Sequence, residues 1–133
     1  MKLQILTPDK AVFDGEVDGL LVPGAAGPFE ILKDHAAILA SLVPGELRVK
    51  IAHKETHYTV AGGFLEFHNN NAVVLAEAVE TPAEIDMKRV EAAKQRALDI
   101  LSNPAEAALA KSQAKQALAR AEARKRLAEK KRP

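Results

Sequence analysis

An acid and a base lie three residues apart in the stretch EIDMKR, which runs from Glu84 to Arg89. Asp86 can begin a helix, because an aspartate at the N-cap accepts hydrogen bonds from the free N–H groups of the first turn. Arg89 can form a local ion pair with Asp86, worth about 0.3 kcal/mol, or can bind phosphate through its guanidinium fork. The pattern therefore permits either a helix start or half of a binding site.

Residues that could catalyse a reaction or bind a metal are scarce elsewhere. The chain has no cysteine, and Ser41 has no glycine elbow or base partner, so we expect no nucleophilic triad. His53 and His57 could share a face of a hairpin, but a metal site needs a third ligand and none is indicated. His35, beside an apolar run, has two open interpretations: a hydrogen bond that anchors its loop, or a contact with a partner.

Charge and composition divide the 133 residues into two parts. Residues 1–83 carry a net charge of −5 with all seven glycines and all four histidines, whereas residues 84–133 carry +6. Fourteen alanines lie from residue 83 onward. Such a break predicts two differently built domains, at 1–82 and 83–133.

No apolar run approaches the ~20 residues that a membrane-spanning helix needs, and the first ten residues lack the apolar length of a signal peptide. We therefore expect a protein of a cytosol-like compartment, with no direct membrane insertion.

The first part predicts an antiparallel β-sandwich or barrel. Apolar residues alternate with polar ones in LRVKIA, Gly62-Gly63 between HYTVA and FLEFH predicts a hairpin turn, and HNNN predicts a second turn. The expected core consists of the apolar strand residues Leu3, Ile5, Val12, Phe13, Leu20, Val22, Ile31, Leu47, Val49, Val60, Phe64, Val73 and Leu75.

The second part predicts two helices. The first begins either at a capping box from Thr81 to Glu84 or at Asp86 as N-cap, and we leave both starts open. Its apolar stripe comprises Val90, Ala93, Ala97, Leu98 and Leu101.

The second helix is predicted from Pro104 to about Lys130, with Asn103 as its cap, roughly 40 Å long at 1.5 Å per residue. The short loop predicts an antiparallel helical hairpin, and the fold class is therefore α+β. One stripe of the second helix is almost all alanine: Ala107, Ala110, Ala114, Ala117, Ala121 and Ala128, with Leu109 and Leu118 at its edge. Alanine buries little area, so we expect this helix to be held weakly. Its basic end suits either the helix dipole or an acidic partner.

Two other classes of protein fit less well. A nucleic-acid-binding protein would use the basic hairpin, but that hairpin has no aromatic residue and the sandwich is acidic. A small β-fold enzyme would need a nucleophile–base pair or a metal set, and neither is indicated.

Several motifs in this order resemble the epsilon subunit of F-type ATP synthases, over nearly the whole chain. Gly27, Ile31, Leu32 and His35 match the family's glycine–Ile-Leu–His loop. Further matches are the L-x-P-G turn of residues 42–45 and the Gly-Gly segment of residues 60–67. The sequence departs from the family at residues 27–30, where Glu30 is the nearest acid to the family's, and at Lys33-Asp34, which replaces Pro-Gly.

The resemblance implies a non-catalytic rotor subunit at the cytoplasmic face of the bacterial plasma membrane. Its sandwich would bind the gamma subunit of the central stalk and the membrane c-ring, with Glu30 and His35 in the loop that faces the ring. Its hairpin would extend toward the catalytic beta and alpha subunits and restrain ATP hydrolysis. The cations that we expect to make this contact are Arg120, Arg124, Lys125 and Arg126.

The same resemblance gives EIDMKR a possible ligand. Some bacterial members bind ATP as a regulator through the motif Ile/Leu-Asp-x-x-Arg-Ala, which here reads Ile85 to Val90, with valine in place of the alanine. By that resemblance the ATP-binding residues are Glu80, Ile85, Asp86, Arg89, Arg96, Arg120 and Arg124. No cofactor is required, and ATP would be a regulatory ligand. The alternative, in which Asp86 is an ordinary helix cap, stays open.

Overall fold

The computed structural model describes residues 1–130 and confirms the expected α+β architecture, a β-sandwich followed by an antiparallel helical hairpin. The strands are β1 Lys2–Leu6, β2 Ala11–Glu16, β3 Gly19–Gly24, β4 Gly27–Leu32, β5 Ile38–Ile51, β6 Lys54–His68, β7 Asn71–Ala76 and β8 Val79–Glu80. A 3₁₀ turn, Pro82–Glu84, then leads into the helices α1 Met87–Ser102 and α2 Ala108–Lys130. The last residues of the predicted basic domain, 131–133, lie outside the described residues.

Two long strands connect the layers of the sandwich. The strand order is β2-β1-β7-β6-β5-β3-β4, with β8 added to β6, and β1–β7 is a parallel pairing in an otherwise antiparallel arrangement. β5 and β6 pair along their whole lengths, from Ile38↔Phe67 to Ile51↔Lys54. β7 pairs with one end of β6 and β8 with another part of it, so the long strands take part in both layers.

The prediction of a hairpin at Gly62-Gly63 is wrong. Both glycines lie inside β6, with φ of +101° and +144°, where the strand changes partner from β8 to β7. A side chain at Gly63 would place its Cβ 2.0 Å from the backbone oxygen of Leu75. The glycines therefore permit a close approach of two strands, which composition alone does not distinguish from a turn.

Asparagine forms one of the actual turns. The predicted turn at HNNN is confirmed: Asn69 and Asn70, with φ of +49° and +58°, connect β6 to β7. The turn between β5 and β6 is also two residues long, and it uses Ala52 and His53 at φ of +50° and +69°. Two residues of positive φ match the right-handed twist of the flanking strands.

The core of the sandwich differs from the prediction in β6 and β7. Most predicted core residues are buried, and Val12 and Phe13 pack against the core while partly exposed. Phe64 and Leu75, however, are 55% and 51% exposed, and Val73 is only half-buried. The buried residues are their neighbours, Leu65, Phe67, Ala72, Val74 and Ala76. Both faces of these strands carry apolar side chains, so alternation could not identify the inner face.

Both predicted starts of the first helix exist, one after the other. The Thr81 N–H and hydroxyl donate to Glu84 Oε1 at 3.3 and 2.8 Å, which closes the 3₁₀ turn. Asp86 Oδ1 then accepts hydrogen bonds from the N–H groups of Lys88 and Arg89, at 3.0 and 3.3 Å, and begins α1. Asp86 is therefore an N-cap.

The second helix begins four residues later than predicted, at Ala108 rather than Pro104. The prediction that Asn103 caps the second helix is wrong: its Oδ1 accepts from the N–H of Ala105, and its backbone oxygen accepts from the N–H of Glu106. These bonds form a separate turn, so the chain reverses before α2 starts.

Small residues dominate the buried surface of α2. Its buried side chains are Ala114, Ala121, Ala123, Leu127 and Ala128. Leu109, predicted at the edge of the apolar stripe, is 71% exposed, whereas Leu127 was missed by the prediction and is 1% exposed. The main core cluster consists of sandwich residues alone.

Candidate functional site

A cavity of about 360 Å³ lies where α2 crosses β6. Its lining comes from two strands, the segment after β7 and one helix: Thr59, Val60, Ala61, Glu77, Ala78, Glu80, Arg120 and Arg124. Three predicted ATP-binding residues, Glu80, Arg120 and Arg124, therefore lie together. Two acids and two bases line one small space, so the cavity can hold a ligand that carries both anionic and hydrogen-bonding groups.

Glu80 and Arg124 form an ion pair across this cavity. Arg124 Nη2 donates to Glu80 Oε2 at 3.0 Å, and Nε lies 2.6 Å from Oε1. The buried Nε–H does not point along a hydrogen bond. Both side chains are about one quarter exposed, so solvent screens the pair only in part.

Arg120 differs from Arg124, because no ion pair or hydrogen bond engages its side chain in residues 1–130. It lines the first cavity and also a second, of about 340 Å³, which includes Gly62, Gly63 and Gln116. Arg120 is thus the cation of this region that is available to an anion without breaking a contact.

The remaining predicted ATP-binding residues lie elsewhere. Ile85, Asp86, Arg89 and Arg96 are absent from the lining of the cavity, and the last three are exposed. The Asp86 carboxylate bonds to backbone N–H groups rather than to the Arg89 guanidinium. Val90 is fully buried, so in this arrangement its side chain does not face a ligand.

The predicted contact loop before β5 is ordered by its own polar bonds. Asp34, at φ +66°, accepts a hydrogen bond from Asn70 Nδ2 at 2.9 Å and donates its N–H to Asn70 Oδ1 at 2.6 Å. The His35 ring meets Phe67 edge-on at 5.9 Å between centroids, and its Nδ1 lies 2.7 Å from Ala36 O. His35 nevertheless remains exposed, and its contact with a partner stays a prediction.

Glu30, the other residue predicted for this contact, lies in β4. Its carboxylate is 3.4 Å from Lys50 Nζ, and both side chains are well exposed. Such a surface pair contributes little stability.

Two further predicted cations lie at the end of α2. Lys125 Nζ is 3.1 Å from Glu91 Oε1 on α1, and this hydrogen bond raises the pKa of Lys125 above its ordinary value of 10.5. Arg126 lines a separate cavity of about 300 Å³ beside Glu46 and Arg48 on β5. The four predicted cations are therefore distributed around α2 rather than gathered at one point.

His53 and His57, the two candidate metal ligands, lie in different surroundings. His57 Nδ1 pairs with Glu46 Oε1, Arg48 Nε lies 3.2 Å from the same oxygen, and His53 occupies the turn. Within residues 1–130 no group of three His, Cys, Asp or Glu side chains is placed to hold a metal ion.

Sequence reasoning missed Thr59, Glu77 and Glu91, which line the cavity or pair with a predicted cation. Thr59 is 3% exposed although it is polar. Its register opposite Glu80 places it there, and no local pattern in the sequence indicates that pairing.

An apolar patch covers the outer face of β5, β6 and β7. Phe64 and Leu75 are directly paired across two strands, and Leu39, 74% exposed, lies diagonally from Phe64 on β5. A cavity of about 330 Å³ between Phe64, Leu75 and Leu6 adds depth. We call Leu6, Leu39, Phe64 and Leu75 the outer patch. Contiguous exposed apolar surface of this kind typically marks an interaction site.

The sandwich followed by a two-helix hairpin defines a class of protein, which comparison with known proteins identifies. The family described as ATP synthase, Delta/Epsilon chain, beta-sandwich domain matches residues 1–82. An ATP synthase epsilon chain of Desulforamulus reducens is 45% identical over 96 residues, which is 72% of this chain and 73% of that protein. One of Anaeromyxobacter sp. is 37% identical over 122 residues, 86% of this chain and 92% of that protein.

The chain therefore belongs to the ATP synthase delta/epsilon family. Solved structures share its fold. A chain of the Euglena gracilis mitochondrial ATP synthase superposes with a TM-score of 0.82 at 21% identity, covering 93% of this chain and 78% of that one. A chain from the central stalk and c-ring of the Tetrahymena thermophila enzyme gives 0.65 at 18% identity, covering 96% and 95%. None of the helices within residues 1–130 is long and apolar enough to cross a membrane.

Proposed function

We propose that this chain is the non-catalytic epsilon subunit in the rotor of a proton-translocating F-type ATP synthase. Residues 1–82 join the gamma subunit and the membrane c-ring, peripherally at the cytoplasmic face of the bacterial plasma membrane. Residues 83–133 restrain ATP hydrolysis by extending toward the catalytic beta and alpha subunits. Family membership and the epsilon-chain relatives support this assignment.

The observation that carries the proposal is the separation of the two buried regions. The sandwich core includes no helical residue, and α2 buries four alanines and one leucine. A part that closes its own core can stay assembled while a weakly packed part moves. The sandwich can therefore serve as a fixed docking domain while the hairpin moves as a regulatory arm.

The outer patch supports docking of the sandwich on the stalk. We expect Phe64→Ser to weaken retention of the chain in the assembled ATP synthase, because Phe64 lies in that patch and is 55% exposed. Leu98→Ser is the matched control, since Leu98 is 40% exposed on α1, outside the patch and outside the sandwich. Equal retention of both variants after washing and gel filtration would contradict the assignment of this face to gamma.

The cations of α2 supply the proposed contact with the catalytic subunits. Replacing Arg120, Arg124, Lys125 and Arg126 together by alanine should raise ATP hydrolysis in the reconstituted complex, because the attraction to an acidic surface is lost. A control that replaces Lys88, Lys94, Lys111 and Lys115 removes the same number of charges from the same hairpin. Unchanged hydrolysis in the first variant, or an equal rise in both, would refute the specific contact.

We further propose that ATP binds as a regulator beside α2. Arg120 supports this proposal, since it faces the cavity without an ion pair. A nucleotide that also used Arg124 would have to displace Glu80, and one that used Arg89 and Arg96 would have to extend beyond the cavity toward α1.

Calorimetric titration of ATP, with and without magnesium, tests this second function. Arg89→Ala and Arg120→Ala should each weaken binding, because each removes a phosphate donor. Lys88→Ala is the control, being an exposed cation next to Arg89 at a free position of the motif. No heat at millimolar ATP would leave Asp86 a helix cap alone and would refute the nucleotide site.

A further inference from the structure

We infer that the Glu80–Arg124 ion pair holds the hairpin on the sandwich, and that Arg124 must leave Glu80 before it can serve the inhibitory contact. The two residues are 44 positions apart and lie on different structural units. Glu80 belongs to β8, and Arg124 to α2. The ion pair therefore connects α2 directly to a strand of the sandwich.

Glu80 is fixed on the sandwich side. β8 pairs with β6 through Val60↔Val79 and Thr59↔Glu80, and the capping box at Thr81 follows directly. Arg124 is fixed to a rigid helix, six positions before its described end. The ion pair can therefore form only when α2 as a whole lies in its docked position on the sheet.

The packing around the pair is too small to fix α2 by itself. Four of the five side chains of α2 that are buried between residues 108 and 129 are alanines, which each remove little apolar area from water. A charge pair that solvent screens only in part then has a larger share in the docking than it would have in an ordinary leucine-rich interface.

The same pair is also suited to release. Both side chains keep about a quarter of their surface exposed, and the Nε–H of Arg124 lacks an aligned acceptor. Water and salt can therefore compete for both partners. A guanidinium whose donors are only partly satisfied loses little when it exchanges one carboxylate for another.

Double electron–electron resonance on the full chain tests this inference. The chain has no cysteine, so Thr56→Cys and Ser112→Cys, both at exposed positions, introduce two labelling sites, one on β6 and one on α2. A hairpin docked on the sandwich gives a short distance between the two labels, and an undocked hairpin gives a long one. We expect Glu80→Gln to raise the population of the long distance by about tenfold, because it leaves a half-buried guanidinium without its counter-charge. The exchange Glu80→Arg with Arg124→Glu should restore the short distance.

Glu77→Gln is the matched control. Glu77 lines the same cavity but has no ion pair within residues 1–130. Raising KCl from about 0.05 M to about 0.5 M should open the unsubstituted hairpin but should have little effect on the Glu80→Gln variant. The inference is overturned if Glu80→Gln and Glu77→Gln give the same distances, or if the exchanged pair stays open while circular dichroism shows it folded.

The role of Arg124 in inhibition rests on the proposed function, whereas the docking of the hairpin by the ion pair does not. ATP hydrolysis by the reconstituted complex tests the two separately. Glu80→Gln should lower hydrolysis, since it frees the hairpin and keeps all four cations of the proposed inhibitory contact. Arg124→Gln should lower hydrolysis less, because it opens the hairpin equally in the spin-label experiment but removes one of those four cations. If the distances change as expected but Glu80→Gln leaves hydrolysis unaltered, the docking pair stands and the inhibitory role of the hairpin fails.

Discussion

Leu127→Ala should detach α2 from the sandwich without unfolding the sandwich. Between residues 108 and 129, Leu127 is the one buried side chain of α2 that is larger than alanine, and it is 1% exposed. The substitution removes three carbons, at about 0.8 kcal/mol per buried CH₂, so it should cost about 2 to 3 kcal/mol of docking free energy. That loss corresponds to about a 30- to 150-fold higher population of the undocked helix.

Hydrogen exchange of the full chain reports this population, because a helix that has left the sandwich frays more readily than a docked one. Amides of α2 should exchange faster, by up to that factor, while the amides of β3, β5 and β6 should keep their protection. Leu109→Ala provides the control, because Leu109 lies on the same helix and is 71% exposed. It makes the same change in helix propensity and removes almost no buried area.

Two results would refute this reasoning. If the strand amides lose protection together with α2, the hairpin and the sandwich unfold as one cooperative unit. If Leu127→Ala and Leu109→Ala behave alike, the burial of Leu127 does not hold the helix in place.

Three further predictions concern the sandwich and its attachment. Gly63→Ala should destabilise the protein by more than about 2 kcal/mol in urea unfolding, because the new Cβ would meet the Leu75 oxygen at 2.0 Å; an unchanged midpoint would be inconsistent with this close approach. Deletion from Asn103 onward should leave a folded sandwich that still joins the stalk, and loss of assembly would contradict the division of labour. Burial, followed by the charge of Glu84, raises the pKa of Tyr58 above its ordinary 10.0. The neutral Tyr58 side chain therefore contributes stability below pH 10.0, and this contribution is lost as the pH rises through the folded-state pKa. Urea unfolding at pH 9 and pH 11 should therefore show an alkaline loss of stability that Tyr58→Phe reduces.

Patterns local in sequence predicted the architecture well. The capping residues Thr81 and Asp86 each form the helix start that their type indicates, although the sequence could not show that the two starts follow one another. The break in charge and alanine content likewise indicated where strands give way to helices. These signals depend on residues within one or two turns of each other, which is why they can be read directly.

Contacts between segments distant in sequence could not be predicted from local patterns. Gly62-Gly63 satisfies the rules for a turn, but its conformation is set by the approach of β7, whose Leu75 lies twelve residues after Gly63. The same contact decides that Leu65 rather than Phe64 faces the core. The grouping of Glu80 with Arg124 came from resemblance, and nothing in their spacing of 44 residues indicates it.

The two caps at the start of the hairpin have a mechanical consequence. Between the capping box that ends at Glu84 and the N-cap Asp86, Ile85 is an extended residue, with φ of −83° and ψ of 121°. The hydrogen bonds on either side are local, so rotation about this joint breaks none of them. The hairpin can therefore swing as a stiff lever about Ile85, with α1 intact throughout, and the work of moving it goes into separating surfaces and not into melting a helix.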